Sequence, residues 1–153
     1  MLLADCGSCW TKLFNTEQGV HEVLQTSSLL KGEGMEFDWA TGHLARTQAR
    51  HYENELVALA KGALKLIPEK DFTVVDVGAR DTKFCSFVGR RLKKLDWNQS
   101  CGSSTGFTLE LLARYYDVDL SALVPSPERI GVTCGVFGIE RIFDAVSCGE
   151  SPE

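Results

Sequence analysis

The sequence predicts an α/β fold in which a mixed sheet is flanked by helices. Three observations carry that prediction. Runs of β-branched and aromatic residues alternate with longer segments of helical period, the pattern of an α/β protein. Gly and Pro punctuate the ends of these runs, as at "TEQG" and after Ile67. A strand–turn–strand pattern, D-x-G-x-x-x-T-K, occurs twice, in "ADCGSCWTKLF" and in "VDVGARDTKFC". One copy falls in residues 1–70 and the other in residues 71–153, a length that suits one domain or two small lobes.

The first element is the apolar run of "MLLADCGS", which breaks at Asp5-Cys6-Gly7. "CWTKLFN" and "GVHEVLQTS" follow as paired strands, with Gly19 closing the turn between them. "MEFDWATG" is a further strand ending in Thr41-Gly42. From Tyr52 to Ile67, residues Leu56, Leu59, Ala60, Ala63, Leu64 and Ile67 recur at helical spacing, and Pro68 follows the helix end. "FTVVDVGARD" reads as a buried strand of β-branched residues that breaks at Asp76-Val77-Gly78. "TKFCSFV" and "RLKKLDW" are strands around Gly89. Two amphipathic helices, entered through "CGSSTGFTLELLARYY" and "CGVFGIERIFDAV", complete the chain, joined by the Pro-containing "VDLSALVPSPERIG".

A length of 153 residues suffices for a real core. The net charge of −5 argues against nucleic acid as a partner, because phosphate backbones draw on clustered Lys and Arg. The one dense basic run, "GRRLKK", reads as a solvated strand or turn face. "MLLADCG" lacks the basic n-region of a signal peptide, and no window reaches the apolar length of a membrane span. The expected location is therefore the cytoplasm, with no membrane partner. There, six cysteines read as thiols or metal ligands rather than as a disulfide framework. The single CxxC, "CGSC", has no second CxxC to complete a zinc site.

The repeated pattern has a chemical reading. A strand ending in Asp can present a carboxylate to hydrated Mg²⁺, and the Gly permits a tight turn whose N–H groups approach phosphate oxygens. Thr and Lys add a hydroxyl and a cation. Two such loops would clamp a polyphosphate, and phosphoryl transfer is catalysed mostly by position and electrostatics. A single copy would read as an ordinary β-turn; two copies with identical spacing favour phosphate. Neither is a Walker A loop, since GxxxxGK[ST] is absent.

The pair resembles the two phosphate loops of the superfamily that unites acetate and sugar kinases, heat-shock chaperones and actin. Within it, the chain resembles the ATPase activators of 2-hydroxyacyl-CoA dehydratases and the ATPase subunits of benzoyl-CoA reductases. "DCGSCWTK" is similar to that family's DxGSxxTK, "ATGHLAR" to ATGYGR, and "ELVALAKGA" to EIxxHAxGA. "VVDVGARDTK" is similar to IDIGGQDxK, "CGSSTGFTLELLAR" to CAAGTGRFLEVMA, and "TCGVFGIERI" to TCTVFAESEV. The six run in order along almost the whole chain.

The resemblance implies a ribonuclease-H-like, actin-like ATPase fold. Residues 1–70 would form the first lobe with phosphate loop 1; residues 71–153 would begin a second lobe with phosphate loop 2. It implies an ATP-dependent electron-transfer activator that uses ATP and Mg²⁺. Asp5 and Asp76 would organise Mg²⁺ and the attacking water. Gly7, Ser8, Thr11, Lys12, Gly78 and Lys83 would hold phosphates, with Asp81 beside them. The acceptor would be a CoA-ester dehydratase or reductase, and the donor a ferredoxin or flavodoxin.

Cys101 and Cys134 match the family's two ligand positions for a 4Fe–4S cluster shared across a homodimer. A cubane takes four thiolates, and two-fold symmetry would supply two from each protomer. Both cysteines precede helices, whose N-termini favour thiolate and the extra negative charge of a reduced cluster. Without the resemblance they read as small buried hydrophobes at helix starts. Cys6, Cys9, Cys85 and Cys148 are expected to be core or surface thiols, and a Cys6–Cys9 dithiol is not expected inside a phosphate loop. His21 in a strand, His43 after the ATG turn and His51 at a helix start carry no role. Trp10, Trp39 and Trp97 are expected as core or interface aromatics, and Glu55 and Glu110 as solvated helix residues.

The chain departs from the pattern at Ser104, which replaces a glycine, and at Ala79-Arg80, which replace Gly-Gln. Ile139 stands where the family has an acidic residue, and the glycine-rich adenosine-binding segment has no counterpart in these residues. Two other readings follow from the same residues. One is a non-catalytic assembly or scaffold subunit derived from this ATPase family. The other is a sugar or acyl kinase-like protein whose cysteines are structural.

Overall fold

A computed structural model of the chain describes residues 1–31, 35–43, 45–98, 106–127 and 131–152. The chain divides into two compact units, residues 1–78 with 82–97, and residues 79–81 with 98–153. Both sheets belong to the first unit.

The first sheet has the order β3-β2-β1-β4-β5. Strands β1 (Leu2–Cys6), β2 (Trp10–Asn15) and β3 (Val20–Gln25) form an antiparallel meander, with Gly19 at φ 66 in the second turn. β4 (Phe37–Gly42) pairs parallel with β1, and β5 (Ala49–Tyr52) pairs parallel with β4. Parallel neighbours need crossovers. Two short helices, α1 (Thr26–Lys31) and α2 (Ala45–Gln48), lie in those connections. The period of two turns Ala4 and Cys6 to the same face as Leu13 and Ala40, where Leu29 of α1 and Ala45 of α2 complete a core with Phe37.

The second sheet, β6-β7-β8, is an antiparallel meander of Phe72–Val77, Thr82–Val88 and Arg91–Trp97. Its inner face packs on α3 (Glu55–Leu66), burying Ala60, Ala63, Cys85 and Phe87 with Phe72, Val74 and Leu95 around them. Asn54 starts α3 as an N-cap, its side chain accepting from the Leu56 N–H at 3.0 Å. Arg90 fastens the other end. Its guanidinium donates to the carbonyls of Ile67 (2.8 Å), Glu69 (3.1 Å) and Leu64. In the second unit, α4 (Gly106–Tyr116) and α5 (Gly135–Ser147) meet through Tyr115, Tyr116 and Phe143.

Several sequence expectations are corrected. β6 is not buried on both faces: Val75 and Val77 are 59% and 73% exposed, since α3 covers one face of a three-stranded sheet. His51 lies in β5 rather than at a helix start, because the helix begins three residues later than Tyr52, at Glu55 behind its Asn54 cap. Trp10, Trp39 and Trp97 are exposed, which corrects the core half of their expectation and agrees with the interface half. The elements α1, α2 and β5 were not anticipated. The "GRRLKK" face is solvated as expected, with Arg91, Leu92, Lys93 and Lys94 all exposed.

Candidate functional site

The internal echo of the sequence is a structural repeat. In the β1–β2 hairpin, Asp5 lies opposite Lys12 and Cys6 opposite Thr11. In the β6–β7 hairpin, Asp76 lies opposite Lys83 and Val77 opposite Thr82. The seven-residue spacing of Asp and Lys is what places them in direct register across each turn.

Strand alternation sorts the first hairpin. Asp5 and Lys12 share the outer face, where Lys12 Nζ donates to Asp5 Oδ2 at 3.0 Å. Cys6 and Thr11 share the core face and are fully buried. Between them the loop Gly7-Ser8-Cys9 turns sharply, and a side chain at Gly7 would place its Cβ 2.7 Å from the Trp10 carbonyl oxygen. Only glycine fits so close a backbone approach. Thr26, the first residue of α1, clamps this loop from behind. Its hydroxyl donates to the Gly7 carbonyl at 2.8 Å, and its N–H donates to the Cys9 carbonyl at 2.8 Å. Thr11 Oγ1 lies 3.0 Å from Thr26 Oγ1, so the motif threonine braces the loop from the core side.

The end of β4 supports the same turn. Gly42 at φ 90 packs on Cys6, where a Cβ would lie 2.4 Å from the Cys6 carbonyl oxygen. The His43 N–H donates to that carbonyl at 2.8 Å. Thr41 stands beside Asp5 in the parallel register, and its buried hydroxyl has no hydrogen-bond partner among the described residues.

The second hairpin is wired differently. Lys83 is buried, its side chain 9% exposed, and its ammonium lies 3.1 Å from Glu55 Oε1 in the first turn of α3. Glu55 is therefore an ion-pair partner rather than a solvated helix residue. Asp76 is half-buried, and no cation pairs with it among the described residues. Gly78 ends the β6 side of the turn, while Ala79–Asp81 group with the second unit, where the Phe107 N–H donates to the Ala79 carbonyl at 2.8 Å. Asp81 is half-buried there.

Of the two expected cluster ligands, Cys101 lies outside the described residues, as does Ser104. Cys134 is the N-cap of α5, in extended conformation, half-buried, with no side-chain capping hydrogen bond. The Gly138 N–H donates to its carbonyl at 2.9 Å. A helix N-terminus leaves N–H groups unsatisfied within the helix and carries partial positive charge, so this position suits a thiolate ligand. Among the described residues no group of three His, Cys, Asp or Glu forms a metal site, so a cluster ligand set is not complete within them. Cys6 and Cys85, both buried, are poorer donors. Burial, and then the neighbouring Asp5 carboxylate, push the Cys6 thiol from its ordinary value of 9.0 up to about 11. Burial also raises Cys85. For phosphate, the residues that fit are the glycine cradle at Gly7 and the exposed Lys12; Lys83 is buried against Glu55, and among the described residues no group of three His, Cys, Asp or Glu surrounds Asp5 or Asp76.

Thr26 lies outside every quoted motif, whereas Thr41 and Glu55 fall inside "ATGHLAR" and "ELVALAKGA" without a site role being read for them. Thr26 opens a helix directly after β3, a position that Thr favours, and that was the signal available for it.

No family model matches the chain. Its sequence is 28% identical over 141 residues to the (R)-2-hydroxyglutaryl-CoA dehydratase activating ATPase of Acidaminococcus fermentans, across 86% of this chain and 54% of that protein. It is 28% identical over 131 residues to the activator of lactoyl-CoA dehydratase of Anaerotignum propionicum, across 80% of this chain and 50% of that one. The 2-hydroxyisocaproyl-CoA dehydratase activator of Clostridioides difficile is 28% identical over 113 residues, across 69% and 42%. The chain spans about half the length of the curated relatives it matches. Its structure is similar to the crystal structure of the Acidaminococcus fermentans (R)-2-hydroxyglutaryl-CoA dehydratase component A. The TM-score is 0.70 at 22% identity, over 99% of this chain and 69% of that one. That likeness bears out the mixed α/β, ribonuclease-H-like fold.

Proposed function

We propose that this chain, a sequence relative of the activators of 2-hydroxyacyl-CoA dehydratases, serves an ATP-dependent electron-transfer activator. The observation that supports it most is the pair of Asp–Lys hairpins, each with a glycine turn, in a chain whose Cys134 caps a helix N-terminus.

In this reading Mg²⁺–ATP supplies a hydrolysable phosphoryl group, and a 4Fe–4S cluster supplies a low-potential electron. The protein's own part is positional. The Gly7-Ser8 turn offers N–H groups and a hydroxyl to phosphate oxygens, and Gly78 does the same at the second turn. Lys12 neutralises phosphate charge on the exposed face, and displacing it from Asp5 frees that carboxylate. Asp76, with Asp81 and Lys83 near it in the turn, would hold Mg²⁺ and position the attacking water. Thr11 and Thr26 keep the first loop in its binding shape. Residues 1–70 would carry phosphate loop 1 and residues 71–153 phosphate loop 2. Cys101 and Cys134 of each protomer hold the cluster across a homodimer. A ferredoxin or flavodoxin is the donor, and a CoA-ester dehydratase or reductase is the acceptor.

The test is anaerobic reconstitution of the full-length chain with iron and sulfide. The expected product carries about four iron atoms per dimer, and its visible absorption bleaches with dithionite. Cys134→Ala is expected to lose both. A folded, colourless, iron-free protein would exclude the electron carrier and favour the assembly subunit.

A further inference from the structure

The outer face of the first sheet carries three polar side chains in one row. Lys12 of β2 and Thr41 of β4 lie opposite Asp5 of β1, one on each side of it. Neighbouring strands are about 4.8 Å apart, so the carboxylate can reach either neighbour. Asp5 has turned to one of them: Lys12 Nζ donates to its Oδ2 at 3.0 Å. On the other side the Thr41 hydroxyl is buried, with no hydrogen-bond partner among the described residues.

A buried hydroxyl left unsatisfied is costly. Thr41 has little freedom to find a partner elsewhere. Gly42 at φ 90 packs on Cys6, and the His43 N–H donates to the Cys6 carbonyl at 2.8 Å, so the end of β4 is fixed against β1. The β-branched side chain also has few rotamers. The Lys12–Asp5 pair is held far less firmly, since both side chains are about half exposed and such ion pairs contribute little. An anion at the Gly7 turn would compete for the Lys12 ammonium. The carboxylate released on that side meets a hydroxyl donor on the other, and a hydrogen bond to an ionised acceptor is a strong one.

We infer that Thr41 is a positioning residue for the first phosphate loop: its hydroxyl takes up the Asp5 carboxylate when an anionic ligand draws Lys12 away. The inference rests on the phosphate reading above. The exchange offsets the lost ion pair, satisfies the orphan hydroxyl and turns the carboxylate toward β4, away from the lysine that the anion has engaged.

The experiment uses the full chain and tripolyphosphate alone, a probe that needs no adenosine contacts. Affinity is read by calorimetry and stability by the urea midpoint. Thr41→Val is nearly isosteric and removes only the hydroxyl. Its midpoint without ligand is expected to rise, because an unsatisfied polar group has gone. Its affinity is expected to fall about tenfold, the effect of one hydrogen bond to a charged group. Thr41→Ser keeps the hydroxyl and is expected to bind as wild type does. A threonine that merely fills space would change stability and leave affinity alone. A second arm needs no ligand. In Lys12→Met the carboxylate is free from the outset, so adding Thr41→Val there is expected to lower the midpoint, reversing the sign seen in wild type. Where wild type binds, a Thr41→Val of equal affinity overturns the inference. So does a midpoint that rises in both backgrounds, or one that falls in the wild-type background. A wild type that does not bind tripolyphosphate removes the phosphate reading. The sign reversal on Lys12→Met would then uphold the carboxylate exchange by itself, and its absence would overturn that too.

Discussion

At Cys6 the strand period turns a thiol into the core beneath a loop whose outer face carries Asp5 and Lys12. The same alternation buries Cys85 against α3. Burial disfavours thiolate at both, and the Asp5 carboxylate adds to it at Cys6. Alkylation follows the thiolate. Iodoacetamide at pH 8, with peptide mass spectrometry, should therefore modify exposed Cys148 in the native protein and leave Cys6 and Cys85 intact until denaturant is added. Modification of Cys6 without unfolding would contradict the packing. The sign of the pH dependence follows as well. With the folded value raised, the contribution of Cys6 to stability is present below about 9 and is lost as pH climbs toward about 11, because the unfolded thiol ionises first. Between pH 8 and 10 the denaturation midpoint should fall, and it should fall less in Cys6→Ala.

Among the elements, α3 is the one whose position matters to both the second sheet and the site, since it carries the residues that bury Cys85 and also Glu55. Its first turn is set by Asn54, and Arg90 from the β7–β8 turn holds the Leu64 carbonyl of its last turn together with the Ile67 and Glu69 carbonyls just beyond it. That turn has Gly89 at φ 56 and Arg90 at φ 61, the paired positive values that suit a two-residue hairpin. An arginine in the left-handed region costs about 1 kcal/mol relative to glycine. It persists because its guanidinium closes carbonyls that the helix leaves open. Arg90→Ala loses those bonds and keeps the strained φ, so a loss of about 1–2 kcal/mol is expected by urea denaturation. Arg90→Gly loses the same bonds and relieves the backbone, so it should be the milder change. The reverse order would mean that the guanidinium does little for α3.

At the scale of the whole chain, what could be read from sequence was what local spacing determines. The Asp–Lys echo was legible because seven residues around a glycine turn fix a hairpin register. The Lys83–Glu55 pair was not, because Glu55 lies in another element and only the packing of α3 on β7 brings the two together. Likewise "FTVVDV" reads the same whether one face or two are covered, and α1, α2 and β5 are too short to show a period. The division into two compact units carries a consequence. Trp10, Trp39 and Trp97 all belong to the first unit, which holds both hydrophobic clusters. The second unit contains the helices α4 and α5 and no tryptophan. Within those two helices Thr108 is the only buried residue among those described. Apolar burial supplies most of the driving force for folding, at about 25 cal/mol per Å². A unit with so little of it should open at lower denaturant than one with two cores. Tryptophan fluorescence then follows the first unit alone, whereas helical circular dichroism follows α4 and α5 together with α3. The expected result is two non-coincident transitions in urea, with part of the helical signal lost before the fluorescence changes. Coincident curves would mean that the two units unfold as one cooperative body, and that the second draws its stability from more than its own core.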